Sequence, residues 1–402
     1  MSRRRQGRTL RVLAIDHTAG SAGGEIALAR LLSGIDRERF APSVLLLEGG
    51  PLVQRLHEAS VRTAVLLAPR RLTEVGRGEV AASPLALLAA IARTAMLVPR
   101  VSAAIRGSGA DLVVANSLKS AVITAFAAPL AGRRWVWHLH DRVERDYLPG
   151  VLVRALRVLA RVGPRMIVAN SQATRRTLSG VRDARIVVAY PAIQAGDAAP
   201  ALPPARPTFG LLGRIAPTKG QREFIRAAAE LSSTVADARF TILGDAMFND
   251  HEFADEVRAL PAALGVPDAV TFAGWVDDPS RALAGLTALV HASPVPEPFG
   301  QVIVEGMLAG IPIIATASGG VPEIVDPDGV GDPIGQRIVR APYGLLVPPG
   351  DVSALAAAMS WMVAHPDDAR RSAARAQAMA RRRFDLAVSA QQVQDAWARA
   401  LA

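Results

Sequence analysis

Two charged loops hold the residues best suited to chemistry in this chain. In Gly213-Arg-Ile-Ala-Pro-Thr-Lys-Gly220, Arg214 and Lys219 bracket a segment that follows an apolar run and feeds a helix predicted from about Gln221 to Ser232. Free N–H groups and a positive dipole end gather at a helix N-terminus, so two cations beside one suit an anion, and a diphosphate fits that description. The plain alternative is a strand-to-helix turn with two solvated charges. No G-x-x-x-x-G-K-[ST] spacing occurs, which turns the reading away from P-loop nucleotidases. Lysine is scarce, since Lys119 and Lys219 are the only two among 46 basic residues. Arginine serves wherever a generic positive charge suffices, and that makes Lys219 conspicuous.

The second loop, Glu297-Pro-Phe-Gly-Gln-Val-Ile-Val-Glu305, sets two glutamates eight positions apart, one in the loop and one a turn into the helix that follows. Carboxylates accept paired hydrogen bonds from vicinal sugar hydroxyls, and Gly300 lets backbone N–H groups come close to a ligand. Glu305 could instead serve only the helix dipole. Two carboxylates also define most glycosidases, where their separation decides the outcome.

These loops need strands and helices to hold them. Short apolar runs at 11–15, 43–47, 111–115, 135–139 and 165–170 alternate with helical patterns, and a second series restarts at 208–213, 238–244, 269–274, 288–293 and 311–316. Continuous rather than alternating apolar runs are the mark of strands buried on both faces of a parallel sheet. Tyr190 to Pro207 is rich in proline and small residues and reads as a linker. The expected organisation is α/β: two doubly wound Rossmann-like domains, 1–190 and 208–384, facing a central cleft, joined by linker 191–207, with residues 1–8 disordered. Val388, Val393, Trp397 and Leu401 predict a helix over 385–402, expected to pack back on the N-terminal domain. Ligands of such folds bind beyond the carboxyl ends of the strands.

In chain order, G-R-I-x-P-x-K-G, I-L-G-D at 242–245, F-x-G at 272–274, E-P-F-G-x-x-x-x-E at 297–305, A-G-I-P-I-I-A-T-x-x-G-G-V-P-E at 309–323 and G-L-L-V-P-P-G-D at 344–351 resemble the retaining glycosyltransferases of family 4. That group uses nucleotide sugars and has the GT-B fold; the first half of the chain matches it more loosely. The resemblance implies that Arg214 and Lys219 neutralise the departing diphosphate of the donor. It gives Glu305 the ribose hydroxyls, and gives Glu297, with the backbone of Phe299 and Gly300, the transferred sugar. Val276 and the Gly244-Asp245 turn would border the nucleobase. In the first domain, Gly20-Ser-Ala-Gly23-Gly24 resembles the family's loop near phosphate and acceptor, and His140 resembles its histidine at the donor sugar. Two features depart from the pattern. Gly244-Asp245-Ala246-Met247 stands where the family often has G-D-G-P, and His138 shares a strand face with His140, so either histidine could meet the sugar. A histidine on an apolar strand can also be a hydrogen-bonded core residue.

Composition narrows the rest. The chain has 402 residues, 50% hydrophobic and 20% charged, which is enough for large cores, and its lack of cysteine excludes disulfides, thiolate metal sites and a cysteine nucleophile. A reducing, cytoplasmic setting follows as the default. Asp326-Pro-Asp328 has the D-x-D spacing of metal-dependent transferases, but its proline and the following glycines read as a turn, so no metal or other cofactor is expected. The net charge of +10 and a predicted helix at 151–165 with Arg154, Arg157, Arg161 and Arg165 on one stripe leave peripheral contact with an anionic membrane open. No module for nucleic acid accompanies the charge. The expected activity is retaining sugar transfer from a nucleotide diphosphate donor to a glycan, lipid-linked or small-molecule acceptor. Its rivals are a nucleotide-sugar epimerase of the same fold and a non-catalytic accessory subunit.

Overall fold

The computed structural model describes residues 8–20, 22–68, 84–193, 204–246, 250–276, 278–335 and 337–402, with side chains from 95 onward in the long helix that begins at residue 84. Residues 1–7 of the arginine-rich start and most of the linker, expected to lack regular structure, lie outside these residues, as does Met247, whereas Arg8 is described and pairs with Asp111. The chain forms two compact units: one runs to Ala192 and takes in Leu386–Ala402, and the other is Ile193–Asp385.

The first unit contains β1 (Leu10–Asp16), α1 (Gly23–Ser33), β2 (Phe40–Leu46), α2 (Pro51–Glu58), β3 (Arg62–Val65), α3 (Pro84–Ser108), β4 (Leu112–Ala115) and α4 (Leu118–Leu130). It continues through β5 (Arg134–Leu139), α5 (Gly150–Val162), β6 (Met166–Ala169), α6 (Gln172–Arg176) and β7 (Ile186–Val188). The strands lie in the order β3-β2-β1-β4-β5-β6-β7, every pair parallel. β4 and β6 are buried at every position because helices cover both faces, which is why they read as unbroken apolar runs. α4 opens on a reciprocal cap: Ser117 Oγ accepts from the Ser120 N–H at 3.3 Å and Ser120 Oγ from the Ser117 N–H at 2.9 Å. The order reverses between β1 and β4, so the loops after those strands flank the unit's switch point.

The second unit contains β8 (Thr208–Leu212), α7 (Gln221–Ser232), β9 (Arg239–Leu243), α8 (His251–Ala263), β10 (Val270–Gly274), α9 (Pro279–Leu283), β11 (Ala288–His291) and α10 (Gln301–Leu308). It then runs through β12 (Ile313–Thr316), α11 (Val321–Val325), β13 (Asp332–Ile334), β14 (Ile338–Ala341), β15 (Gly344–Val347), α12 (Val352–Ala364) and α13 (Pro366–Arg383). The sheet order is β10-β9-β8-β11-β12-β15-β14-β13, parallel except for the β13–β14–β15 ribbon at one edge. Its switch point lies between β8 and β11. Phe209, Phe224 and Phe240 centre the core, with ring centroids 5.9 Å apart in both pairs.

α14 (Leu386–Leu401) belongs to the first unit. Trp397 is fully buried there, edge-on to Phe40 at 5.6 Å and stacked on His138 at 5.9 Å. Three sequence expectations change on inspection of the fold. β3 and β7 were not foreseen because both are short edge strands whose residues are half-exposed or exposed, unlike the buried runs of the inner strands. The antiparallel ribbon was not foreseen because β13 and β14 have only three and four residues. The arginine stripe of α5 is split. Arg157 turns inward to the carbonyls of Thr177 and Val143 and to Glu144, and Arg161 donates to the Ser179 carbonyl. Backbone carbonyls left unpaired by the neighbouring loops draw these guanidinium groups in. The outer face carries Val151, Val158 and Val162 with Arg154, while the helix ends at Val162, three residues short of the expected stripe, and leaves Arg165 exposed beyond it. Among the described residues, no helix is long and apolar enough to cross a membrane.

Candidate active site

In the second unit the loops after β8, β9 and β10 are tied together by backbone. Gly244 N–H donates to the Gly274 carbonyl at 2.7 Å, and Ile215 N–H to the Asp245 carbonyl at 3.0 Å. Gly244 has φ +138°, and a Cβ there would stand 2.2 Å from the Gly213 carbonyl oxygen, so only glycine fits. Val276, half-exposed just past β10, and Gly244 therefore sit at neighbouring strand ends. Asp245 is paired with Arg258 at 2.7 Å.

The β8 loop is also joined to the β11 loop across the switch point. Ser293 Oγ donates to the Thr218 carbonyl at 2.6 Å, and Gly220, at φ +82°, lies so close to the Ala292 carbonyl that a Cβ would approach it to 2.1 Å. The side chains complete the junction, with Lys219 Nζ 2.7 Å from Glu297 Oε1. Arg214 Nη1 is 3.0 Å from Asp250 Oδ2, a partner absent from the sequence reading. The Glu297 backbone is clamped by the glycine turn after β12: Gly320 N–H donates to its carbonyl at 2.8 Å, and a Cβ on Gly319 would lie 2.0 Å from that oxygen.

Burial pushes the Glu297 carboxyl up, but the charge of Lys219 and the contact with His291 outweigh it and hold Glu297 well below the usual carboxylate range. His291, at the end of β11, is buried. Its Nδ1 is 3.2 Å from Thr316 Oγ1, whereas Nε2 has no hydrogen-bond partner and faces Glu297 Oε2 at 3.9 Å. Further along, Phe299 buries its ring against Phe384 at 5.6 Å. Gly300, at φ +110°, caps α10, and Glu305 is half-buried one turn in.

The first unit gathers its own polar group around β1, β4 and β5. Asn116 Nδ2 donates to Asp16 Oδ2 at 2.6 Å and to the Gly24 carbonyl at 3.3 Å, which leaves Asn116 Oδ1 to accept from His140 Nε2–H at 3.0 Å. Asn170 Nδ2 donates to the His140 carbonyl at 3.1 Å. Gly23 and Gly24 form the first turn of α1, and a Cβ on Gly24 would touch the His140 ring at 3.6 Å. His138 and His140 line the same small space of about 30 Å³ with residues of α1 and α14, so they do share a face. Their partners differ. His138 Nε2 accepts from Trp397 Nε1–H at 3.1 Å, and burial, followed by the neighbouring His140, pushes its pKa down to about 3. It is a neutral core histidine.

Asp16 is fully buried; burial alone would raise its pKa, but bonds to His17, Asn116 and Ser117 bring it below the ordinary value. Glu25, in the first turn of α1, goes the other way. It is 7% exposed, its Oε2 has no hydrogen-bond partner, and burial with the charge of Asp16 pushes it up to about 7. Asp326 accepts from the N–H groups of Val330 and Gly331 at 3.0 and 3.2 Å, the work of a turn. No cluster of three or more His, Cys, Asp or Glu suited to a metal occurs among the described residues.

The structure thus sets Arg214 and Lys219 on one loop, brings Lys219 against Glu297, and aligns Phe299, Gly300 and Glu305 at the start of α10. His140, Gly23 and Gly24 belong to the first unit. Sequence reasoning missed Asp16, Asn116, Glu25, Asp250 and His291. The first two follow the apolar runs of β1 and β4, and a polar residue at that place is the signal that could have found them.

Two doubly wound units, each with its polar residues at the switch point, define a two-domain α/β protein of the GT-B class. Family models agree with both halves: "Glycosyltransferase Family 4" matches residues 23–196 and "Glycosyl transferases group 1" residues 206–365. The chain belongs to these group 1 and family 4 glycosyltransferases. It is 33% identical over 152 residues to the 2-deoxystreptamine glucosyltransferase of Streptomyces kanamyceticus, covering 37% of this chain and 34% of that protein. To the D-inositol 3-phosphate glycosyltransferase of Kineococcus radiotolerans it is 31% identical over 234 residues, 54% of this chain and 52% of the relative. These alignments span about a third to a half of the curated relatives' length. Among solved structures, Anabaena HepE in complex with UDP-glucose superposes with a TM-score of 0.80 at 26% identity, covering 97% of this chain and 99% of that one.

Proposed function

We propose that this chain moves a sugar from a nucleotide diphosphate donor to an acceptor hydroxyl, with retention at the anomeric carbon and without a metal. The observation that carries the reading is the Lys219–Glu297 junction across the β8/β11 switch point, a cation and a carboxylate where doubly wound sheets take their ligands. Lys219 and Arg214 stabilise the charge growing on the leaving diphosphate, and they supply there what a divalent ion would otherwise supply. Glu297, with the Phe299 and Gly300 N–H groups, holds the sugar hydroxyls; Glu305 holds the ribose, and Gly244 and Val276 border the base. Roles in the first unit fall to His140 at the donor sugar and to Gly23 and Gly24 on the phosphate and acceptor side. The acceptor hydroxyl attacks the face that the leaving group quits, and its proton passes to the departing phosphate oxygen. The rate then rests on positioning and charge stabilisation.

The solved complex of HepE with UDP-glucose makes UDP-glucose the first donor to try, followed by GDP-mannose, which a mycobacterial relative's name specifies. Relatives are named for acting on 2-deoxystreptamine and on a phosphatidylinositol mannoside, so the acceptor panel holds both small polyols and lipid-linked sugars. The exposed valines and arginines of α5 suit an anionic lipid surface on the cytoplasmic side. The test is release of nucleoside diphosphate from a donor panel, with and without chelator, with the product's anomeric configuration read by NMR. Loss of both Lys219→Ala and Glu305→Ala activity supports the site, and near-normal transfer by both sinks it. Inversion refutes retention, activity abolished by chelator refutes metal independence, and donor consumed with no acceptor product points to epimerisation.

A further inference from the structure

His291 is buried at the end of β11 with one ring nitrogen satisfied and the other not. Nδ1 meets Thr316 Oγ1 at 3.2 Å, while Nε2 has no partner and faces Glu297 Oε2 at 3.9 Å. An unmade hydrogen bond on a buried polar atom costs free energy, so an arrangement that satisfies Nε2 is favoured wherever the chain can reach it. With the Thr316 hydroxyl donating to Nδ1, the imidazole proton sits on Nε2 and points at the carboxylate. Glu297 cannot accept it at full strength while Lys219 draws the other carboxylate oxygen to 2.7 Å. Its backbone is fixed by Gly319 and Gly320, so what can move is the side chain, by roughly an ångström, the gap between 3.9 Å and a normal hydrogen bond.

We propose that His291 is a positioning residue that takes over the Glu297 carboxylate when Lys219 leaves it for the donor's diphosphate, turning a resting ion pair into a sugar-binding arrangement. This rests on the reading of Lys219 as the diphosphate ligand. One negative group would replace another beside Lys219, and Glu297, released from the ammonium, would keep a donor on Oε2 and present Oε1 to the sugar hydroxyls. The Lys219–Glu297 pair then competes with the diphosphate, and His291 lowers the cost of breaking it.

Two substitutions separate the ring's two contacts. His291→Asn keeps a polar group near Thr316 and loses the donor toward Glu297, whereas His291→Gln places an amide N–H near the position of Nε2. Expected is a kcat for sugar transfer about ten-fold lower in the Asn variant and largely restored in the Gln variant, with binding of UDP, or of the diphosphate of whichever base proves active, unchanged in both. Thr316→Val, which frees Nδ1 and the tautomer, should show an intermediate loss and serves if the His291 variants do not fold. Equal activity in wild type, Asn and Gln variants overturns the proposal. So does a parallel loss of activity, nucleotide binding and melting temperature in all three variants, which is what a purely structural histidine gives. If wild type binds no nucleoside diphosphate and transfers no sugar, the proposed function fails first, and the positioning role fails with it.

Discussion

Glu25 ties a pH dependence to the first unit whose size can be worked out. Its carboxyl is buried in the first turn of α1, one oxygen lacks a partner, and burial with the Asp16 charge raises it from 4.5 to about 7. Between those values the unfolded chain has released the proton and the folded one still holds it, so stability is greatest below pH 4.5 and falls as pH rises through 7. The span of 2.5 pH units, at ~1.4 kcal/mol each, amounts to about 3 kcal/mol. Glu25→Gln keeps the shape and cannot ionise. Against wild type it should be near-neutral at pH 4.5 and more stable by about 3 kcal/mol at pH 8. Urea unfolding can be followed by fluorescence in a Trp275→Phe/Trp361→Phe background, where the remaining tryptophans, Trp135, Trp137 and Trp397, report the first unit alone. The same effect of Glu25→Gln at pH 5 and pH 8, or a variant less stable at pH 8, refutes the reasoning.

His138 predicts the opposite slope. Its folded pKa of about 3 lies below the ordinary 6.5, so its contribution is intact above 6.5 and lost as pH falls toward 3; the urea midpoint should drop by the equivalent of about 2 kcal/mol between pH 6.5 and 5, and His138→Gln should remove that part. Gly220→Ala places a Cβ against the Ala292 carbonyl at positive φ and should cost about 3 kcal/mol or more by calorimetry, whereas Gly265→Ala, at φ +73° in open space, should cost about 1. Asp250→Asn removes the anion beside Arg214, and isothermal titration should find nucleoside diphosphate bound a few-fold tighter; unchanged or weaker binding removes Arg214 from the diphosphate site.

The inner parallel strands were legible because helices cover both their faces: the runs at 112–115 and 166–169 contain nothing polar, and helix α7 begins and ends where its pattern does. The loops that follow β8 and β11 were legible for the same reason, since a strand end marks where ligand-binding residues must come. What the chain does not print is which charges meet. Lys219 and Glu297 are 78 positions apart, and Trp397 is 259 from His138. Those pairings depend on sheet order, and nothing local sets it. The α5 arginines show the same limit. Periodicity placed four on one stripe, but carbonyls of the Val143 and Thr177–Ser179 segments claimed two of them, and only the packed neighbours decide that.

The return of α14 to the first unit has a consequence in time. A ribosome that has finished the first unit's strands must still make the whole second unit before Leu386–Leu401 emerges, a delay of about 10–40 s at ordinary elongation rates. Through that interval the face of the sheet around Phe40 and His138 lacks the indole that later seals it. The second unit, whose segments are contiguous, can close first. Order of synthesis and order of completion are therefore reversed, and the nascent chain carries an open apolar seam of the kind that chaperones hold until the final helix arrives.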